Sequence, residues 1–362
     1  MNGCFDFHFS EEELIESPSL VYYLDRIEEN TDKAIAMAGG AERLWPHVKT
    51  HKMAAMVRLQ TARGINRFKC ATIAEAQMCA REGASHVLLA YPLTGPMISH
   101  FVNFRARYAK TRFWATGDDL AQLEKLGKNF PASPLDALID VNCGMNRTGV
   151  PLDDLENFYQ SAKKIEGLNI AGLHCYDGHL GISSAEKRKT EVSKITEKVL
   201  NIKAFMEKHG VENPVLVMGG TPTFPFHKET PGVFLSPGTL FINDFGYSQK
   251  FQDLPFPAGA AILTRVISRP SPGLFTLDTG HKAIASDKPE RGIITDLPKA
   301  KPLSHSEEHW VWKCEEAPQI GTVLYIIPDH ICPTTALYPG VHVVSKGKLS
   351  GYWEVTARNR LL

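Results

Sequence analysis

Three groups of residues in this chain could act together in chemistry. The first is Lys49, in the run Pro46-His47-Val48-Lys49-Thr50-His51-Lys52. An amine that burial and nearby cations strip of its proton attacks carbonyls and forms Schiff bases. Lys52 and Arg147 are candidates to supply those cations. The second is a pair of glycine–threonine segments, Gly219-Gly220-Thr221-Pro222-Thr223 and Pro237-Gly238-Thr239. Glycine lets a backbone approach phosphate closely, and threonine adds a hydroxyl donor. Each segment alone reads equally as a plain turn. The third is His330-Ile331-Cys332, an imidazole and a thiol two residues apart. Both groups ligate zinc well, whereas manganese prefers carboxylate and water. Structural zinc motifs carry three or four ligands, so the pair also reads as two buried residues in a β-turn before Pro333.

These residues need elements to position them. Short apolar, β-branched runs at 44–48, 67–71, 86–90, 112–115, 136–141, 169–174, 214–218 and 233–236 read as eight strands. Helical patterns lie between them, at 73–82, 118–128, 154–165 and 185–209. In the last, Val192, Ile195, Val199 and Ile202 recur at a three-to-four spacing that marks one helix face. Repeated strand–helix units imply parallel strands, and eight of them fit a closed (β/α)8 TIM barrel over 25–251, with an open doubly wound sheet as the other option. From 252 to 362 the chain turns to short β-rich runs separated by Gly, Pro and Asp, with no long helix pattern. That stretch reads as a mostly antiparallel β domain, joined by an N-terminal strand within 1–24.

A parallel barrel places its chemistry at the carboxyl ends of its strands. Lys49 follows the first strand, Arg147 the fifth, Tyr176 the sixth, and the two Gly/Thr segments the seventh and eighth. The last two positions are where barrels often build a phosphate site. A lysine and a phosphate site in one barrel mouth suggest pyridoxal 5'-phosphate (PLP), held covalently by the amine and ionically through the phosphate. A Schiff-base aldolase acting on a phosphorylated sugar is the alternative.

Composition narrows the partners. Forty Lys+Arg balance forty Asp+Glu, with a pI near 7.2, which argues against a nucleic-acid binder. No run is long and apolar enough to span a membrane, and the acidic start, with Asp6 and Glu11 to Glu13, does not read as a secretory signal. The seven cysteines are odd in number and lack short paired spacings, so a reduced, cytoplasmic protein is expected.

Together these motifs identify a resemblance. Pro46 to Lys52, Cys70-Ala71-Thr72-Ile73-Ala74-Glu75-Ala76, Leu89-Ala90-Tyr91-Pro92, Asp140 through Arg147-Thr148-Gly149, Pro237-Gly238-Thr239 and Pro328-Asp329-His330-Ile331-Cys332-Pro333-Thr334 resemble the fold-type III PLP enzymes. Among these, the match is to the D-serine dehydratase and D-threonine aldolase branch. The alanine racemases share the barrel plus β-domain plan but differ in these motifs. The resemblance implies that Lys49 is the Schiff-base lysine, that Arg147 lies by the PLP ring oxygen, and that Tyr176 lies against the pyridine ring. It implies that Gly219, Gly220, Thr221, Gly238 and Thr239 bind the phosphate, and that His330 and Cys332 hold a catalytic metal. His-x-Cys is the dehydratase subgroup's pattern, with zinc; the aldolases carry Asp at the second position, with manganese. A homodimer is implied as well, its sites lying between one subunit's barrel and the other's β domain.

The expected reaction is therefore β-elimination from a D-β-hydroxy amino acid such as D-serine, giving a keto acid and ammonia. Retro-aldol cleavage to glycine and an aldehyde, with His179 or a metal-bound water as base, is the alternative. An amino-acid racemase or a non-catalytic PLP-binding protein stands further off. One motif departs from the family: Glu307-Glu308-His309 is followed by Trp310 where glycine is usual. A large ring there is expected to narrow or redirect the pocket. His281, in Thr279-Gly280-His281-Lys282, reads as structural.

Overall fold

A computed structural model describes residues 6–360, so Cys4 and the first residues of the acidic start lie outside the described residues. The chain divides into two compact units. One is formed by Ala34–Lys49 and Met56–Gly238. The other holds the described residues up to Lys33 together with Thr50–Ala55 and Thr239–Arg358.

The first unit is built on parallel strands. Arg67–Cys70, His86–Leu89, Arg112–Gly117, Leu135–Asn142, Leu168–Cys175, Val215–Met218 and Val233–Leu235 pair in that order, each parallel to the next. The expected strand at 44–48 does not form as a strand. Pro46 has no N–H to give to a ladder, and residues 48–50 turn into a 3-10 helix, Val48–Thr50. The segment still closes the ring through isolated bridges. Trp45 N–H donates to the Leu235 carbonyl at 2.7 Å and His47 N–H to the Pro237 carbonyl at 2.9 Å. Pro46 itself accepts from Lys69 N–H at 2.8 Å. A barrel of eight staves results, seven of them ladders. Trp45, Leu88, Trp114, Leu138 and Val217 pack together as an apolar cluster, with the Trp45 indole edge-on to Trp114 at 5.7 Å.

Local chemistry accounts for the crossover helices. Thr72 caps Ile73–Arg81 by accepting from Glu75 N–H at 3.1 Å, while the Glu75 carboxylate reaches back to Ala71 N–H at 2.7 Å. This is close to a capping box, worth about 1 kcal/mol at the cap alone. The helix Ala185–Lys208 buries Val192, Ile195, Val199, Ile202 and Met206, the face its spacing marks out. The 15-residue helix Leu24–Ala38 and the helices Ala54–Ala62 and Pro96–Arg105 were not foreseen.

In the second unit the strand Ser19–Tyr23 lies between two others. It pairs antiparallel with Ala260–Ser268 and parallel with Gly340–Ser345. The remaining pairings of this sheet are antiparallel. Its core gathers Phe7, Phe9, Val21, Tyr23, Leu263 and Tyr325. One strand, Lys301–His305, escaped notice because it is largely exposed and alternates weakly. Short helices interrupt the strands here, and His330 is the N-cap of one of seven residues, Ile331–Leu337. Cys332 and Pro333 sit in its first turn, where proline's missing N–H costs nothing, so the pair is not in a β-turn. No described helix is long and apolar enough to cross a membrane. The six described cysteines are free thiols.

Candidate active site

In the barrel unit, three cations converge on one aromatic ring. The Lys49 amine lies 5.8 Å from the centroid of the Tyr176 ring, the Lys69 amine 5.5 Å and the Arg147 guanidinium 5.2 Å. Lys49 is held by its backbone, whose N–H donates to His47 Nδ1 at 3.3 Å. Burial first, then the charges of Lys49 and Lys69, keeps the His47 pKa well below the usual histidine range, so the ring is neutral and able to accept. Arg147 is aimed by an asparagine turn: Asn142 Oδ1 accepts from Gly144 N–H and Asn146 N–H at 3.0 and 3.1 Å. Asn146 is left-handed, with φ 55°, a conformation asparagine tolerates. Of the two expected cations, Arg147 is here. Lys52 falls in the other unit, where its carbonyl accepts from Ala357 N–H. Lys69 takes its place.

Behind the cations lies a cross-strand pair. Asp140 and His174 are register partners on adjacent strands, and Asp140 Oδ1 is 2.7 Å from His174 Nδ1. Burial would raise the Asp140 pKa, but the His174 hydrogen bond and the nearby Lys69 bring it below the usual carboxylate range. Burial and Lys69 lower that of His174. The consistent tautomer has Nδ1–H donating to Asp140, which leaves Nε2 to accept from Lys69 at 3.4 Å. A small hollow of about 30 Å³, room for about one water, is lined by Ala90, Asp140, Arg147, His174 and Tyr176 among others. A roomier hollow of about 570 Å³, beside Glu124, Lys128, Ser161 and Lys164, lies on the outer helices away from this chemistry.

The glycine segments adjoin the same ring. A Cβ on Gly220 would come 2.9 Å from the Tyr176 ring, so only glycine allows this approach. Gly219 sits at φ 79°, and a Cβ there would meet His227 at 2.9 Å. The loop rests on a buried network. Asp177 accepts from Thr223 Oγ1 at 2.6 Å and from His227 Nε2 at 2.7 Å, and Thr223 Oγ1 in turn accepts from Gly220 N–H at 3.0 Å. The amides of Gly219 and Gly220 are thus bonded within the chain, Gly219 to the Cys175 carbonyl at 3.0 Å. Gly238 N–H donates to Thr221 Oγ1 at 3.4 Å, the longest of the three and the one most readily given up to a ligand.

In the β unit, His330 and Cys332 are brought together as expected. His330 Nδ1 is 2.6 Å from Asp287 Oδ2. Cys332 Sγ lies 3.3 Å from Thr50 Oγ1 and 3.5 Å from Thr239 Oγ1. Thr239, which directly follows Gly238, thus has its hydroxyl beside this thiol. Burial opposes charge on both groups, but their mutual attraction prevails: the His330 pKa is pushed up to about 9, and that of Cys332 falls below the usual thiol range. The segment is fixed by Asp244, whose carboxylate accepts from Ile331 N–H at 3.0 Å and Tyr247 N–H at 2.9 Å. Among the described residues, no group of three or more His, Cys, Asp or Glu is gathered for a metal; His330 and Cys332 are two neighbouring donors. A carboxylate on the far nitrogen of a histidine is the support that metal-bound imidazoles usually have, and the soft thiolate–imidazole donor set fits a zinc-like ion.

Two expectations take a different form. Trp310 is buried by its neighbours, stacked on His305 at 4.5 Å and packed on Trp312 at 4.6 Å. Its ring is part of the core of the β unit. His179 is exposed, with its imidazole over Gly144, where a Cβ would approach Nε2 to 2.9 Å. Lys69, Asp177, His227, Asp244 and Asp287 were all missed. Only the spacing of Asp244 three residues before Tyr247, at a helix start, left a trace in the sequence.

Comparison with known proteins follows the same division. Residues 23–242 match the model of the alanine racemase N-terminal domain, and residues 259–344 that of a putative serine dehydratase domain. The D-threonine aldolase of Arthrobacter sp. is 28% identical over 95% of this chain and 93% of its own. The crystal structure of the D-threonine aldolase of Filomicrobium marinum superposes with a TM-score of 0.89, at 26% identity, covering 99% of both chains. The D-threo-3-hydroxyaspartate dehydratase of Delftia sp. strain HT23 is 21% identical over 94% of this chain and 97% of its own. A structure of that dehydratase with a cysteine replaced by alanine, in a metal-free form, superposes with a TM-score of 0.84. The chain belongs to the alanine racemase N-terminal domain family, with a putative serine dehydratase domain following that domain in the same chain.

Proposed function

We propose that this chain is a PLP- and metal-dependent lyase that cleaves the Cα–Cβ bond of a D-β-hydroxy amino acid, giving glycine and an aldehyde. The observation that carries this reading is the full-length likeness to two proteins named D-threonine aldolase. It reverses the order of the two reactions reached from the sequence. Elimination remains the second reading, favoured by Cys332, because the dehydratase relative has a cysteine variant described as metal-free.

PLP suits the barrel residues for a stated reason. Three cations around one ring, beside a glycine that a Cβ would block, make a place for a flat anion. Lys49 would hold its aldehyde carbon, Tyr176 and Arg147 would flank the ring, and Gly219, Gly220, Thr221, Gly238 and Thr239 would border the phosphate, with Gly238 N–H the amide most readily given to it. When bound, PLP supplies an electron sink for the pair left at Cα. The Lys49 amine would carry the proton at Cα: in cleavage it would give Cα a proton in place of the one lost from the β-hydroxyl, and in elimination it would remove one. His330 and Cys332 would hold a divalent ion, zinc ahead of manganese, supplying a Lewis acid for a hydroxyl oxygen. Asp287 keeps His330 oriented, and Thr50 and Thr239 keep the thiol oriented. We take the working form to be a homodimer.

Two measurements check this. Incubation with D-threonine and with D-serine should give glycine and an aldehyde; keto acid and ammonia without glycine would establish elimination in its place. Cys332→Ala should still bind PLP, with its visible band intact, but lose the turnover that a chelator removes from the parent protein. Full activity in that variant would end the metal assignment.

A further inference from the structure

The barrel unit contains a buried amine that the roles above use only as one of three cations around the Tyr176 ring. Lys69 is only 3% exposed, yet it stands on the strand Arg67–Cys70 between Phe68 and Cys70, both apolar and buried. Burying an ammonium is costly unless it is fully paired, and the pairing here is incomplete. Lys69 makes one 3.4 Å hydrogen bond, to His174 Nε2. The carboxylate of Asp140 stands one ring further back. The groups that face it are Lys49 and Arg147, which repel it, Asp140 and Asp177, which attract it, and the imidazoles of His47 and His174. Burial first, and then the Lys49 charge, hold its pKa down to about 7. An apolar residue of similar length would fill the same space without that penalty.

We propose that Lys69, aimed by the Asp140–His174 pair, is a positioning residue of the cofactor site, whose ammonium lowers the proton affinity of the linkage between Lys49 and PLP. This rests on the PLP reading above. The physical ground is the cluster itself. Lys69 and Lys49 address the same Tyr176 ring from 5.5 and 5.8 Å, and a fixed positive charge nearby disfavours protonation of a second nitrogen. In the protein alone, burial and the Lys49 charge bring the Lys69 pKa down toward neutrality, which sets the two nitrogens up to titrate as a coupled pair.

The test is a pH titration of the visible band of the PLP-loaded protein. Lys69→Met should raise the midpoint by about one pH unit and collapse a two-step titration to one step. Lys69→Arg, which keeps the charge at every pH, should hold the midpoint at or below that of the parent protein. If Lys69→Met does not fold, Lys69→Gln, which keeps a donor toward His174, is read in the same way. A band with the parent midpoint in the neutral variant overturns the role of Lys69 while leaving PLP in place. Absence of any band in the parent protein overturns both.

Discussion

Lys49→Ala should abolish both the visible band of bound PLP and turnover, with kcat/KM falling by at least about 10³-fold. Two roles vanish with one amine: the covalent hold on the cofactor and the proton at Cα. The fold should survive, because the backbone N–H that donates to His47 remains and the side chain is only half-buried. Removing this charge also relieves Lys69, whose pKa is lowered partly by Lys49. The variant should therefore unfold in urea like the parent protein while taking up PLP only reversibly. A stable band and appreciable turnover in Lys49→Ala would mean that another amine anchors the cofactor.

The second large effect is expected at Asp177. This carboxylate is 1% exposed and accepts from both Thr223 and His227, the latter's side chain fully buried. Asp177→Ala leaves two buried donors without their charged acceptor, and each such hydrogen bond is worth about 1.5–3 kcal/mol. A loss of about 3 kcal/mol or more in urea unfolding should follow. The damage should also be chemically selective. Thr223 holds Gly220 N–H, so freeing Thr223 loosens the glycine segment while leaving Lys49 and Arg147 untouched. The variant should lose affinity for PLP far more than for pyridoxal, which lacks the phosphate. Equal losses for both ligands would show that the segment does not carry the phosphate.

What the sequence made legible was whatever is written locally. Thr72 and Glu75 sit three apart and cap a helix; Val192 to Ile202 repeat at helical spacing and bury one face; His330 and Cys332 are near neighbours in the chain. That Lys49, Arg147 and Tyr176 come together was legible because each follows a barrel strand end. What escaped depends on partners far along the chain. Asp140 meets His174 only through strand register, 34 residues apart, and Lys69 meets His174 across 105. Asp177 and His227 are 50 apart. A lysine inside a short strand carries no local mark that it will be buried. The segment at 44–48 misled for the opposite reason: its composition is that of a strand, but Pro46 breaks the ladder that defines one.

That broken stave has a dynamic consequence. Strands Leu135–Asn142 and Leu168–Cys175 are registered along nearly their whole length, whereas residues 44–47 are stitched to their neighbours by single bonds. Local opening is cheapest where few backbone bonds must break together. The seam of the barrel is thus its natural point of breathing, and the amides of Trp45 and His47 should exchange with solvent ahead of those in the ladders. Lys49 stands at the end of that seam. On the proposed reading, the lysine that would hold the cofactor sits at the end of the stave with the fewest backbone bonds to its neighbours.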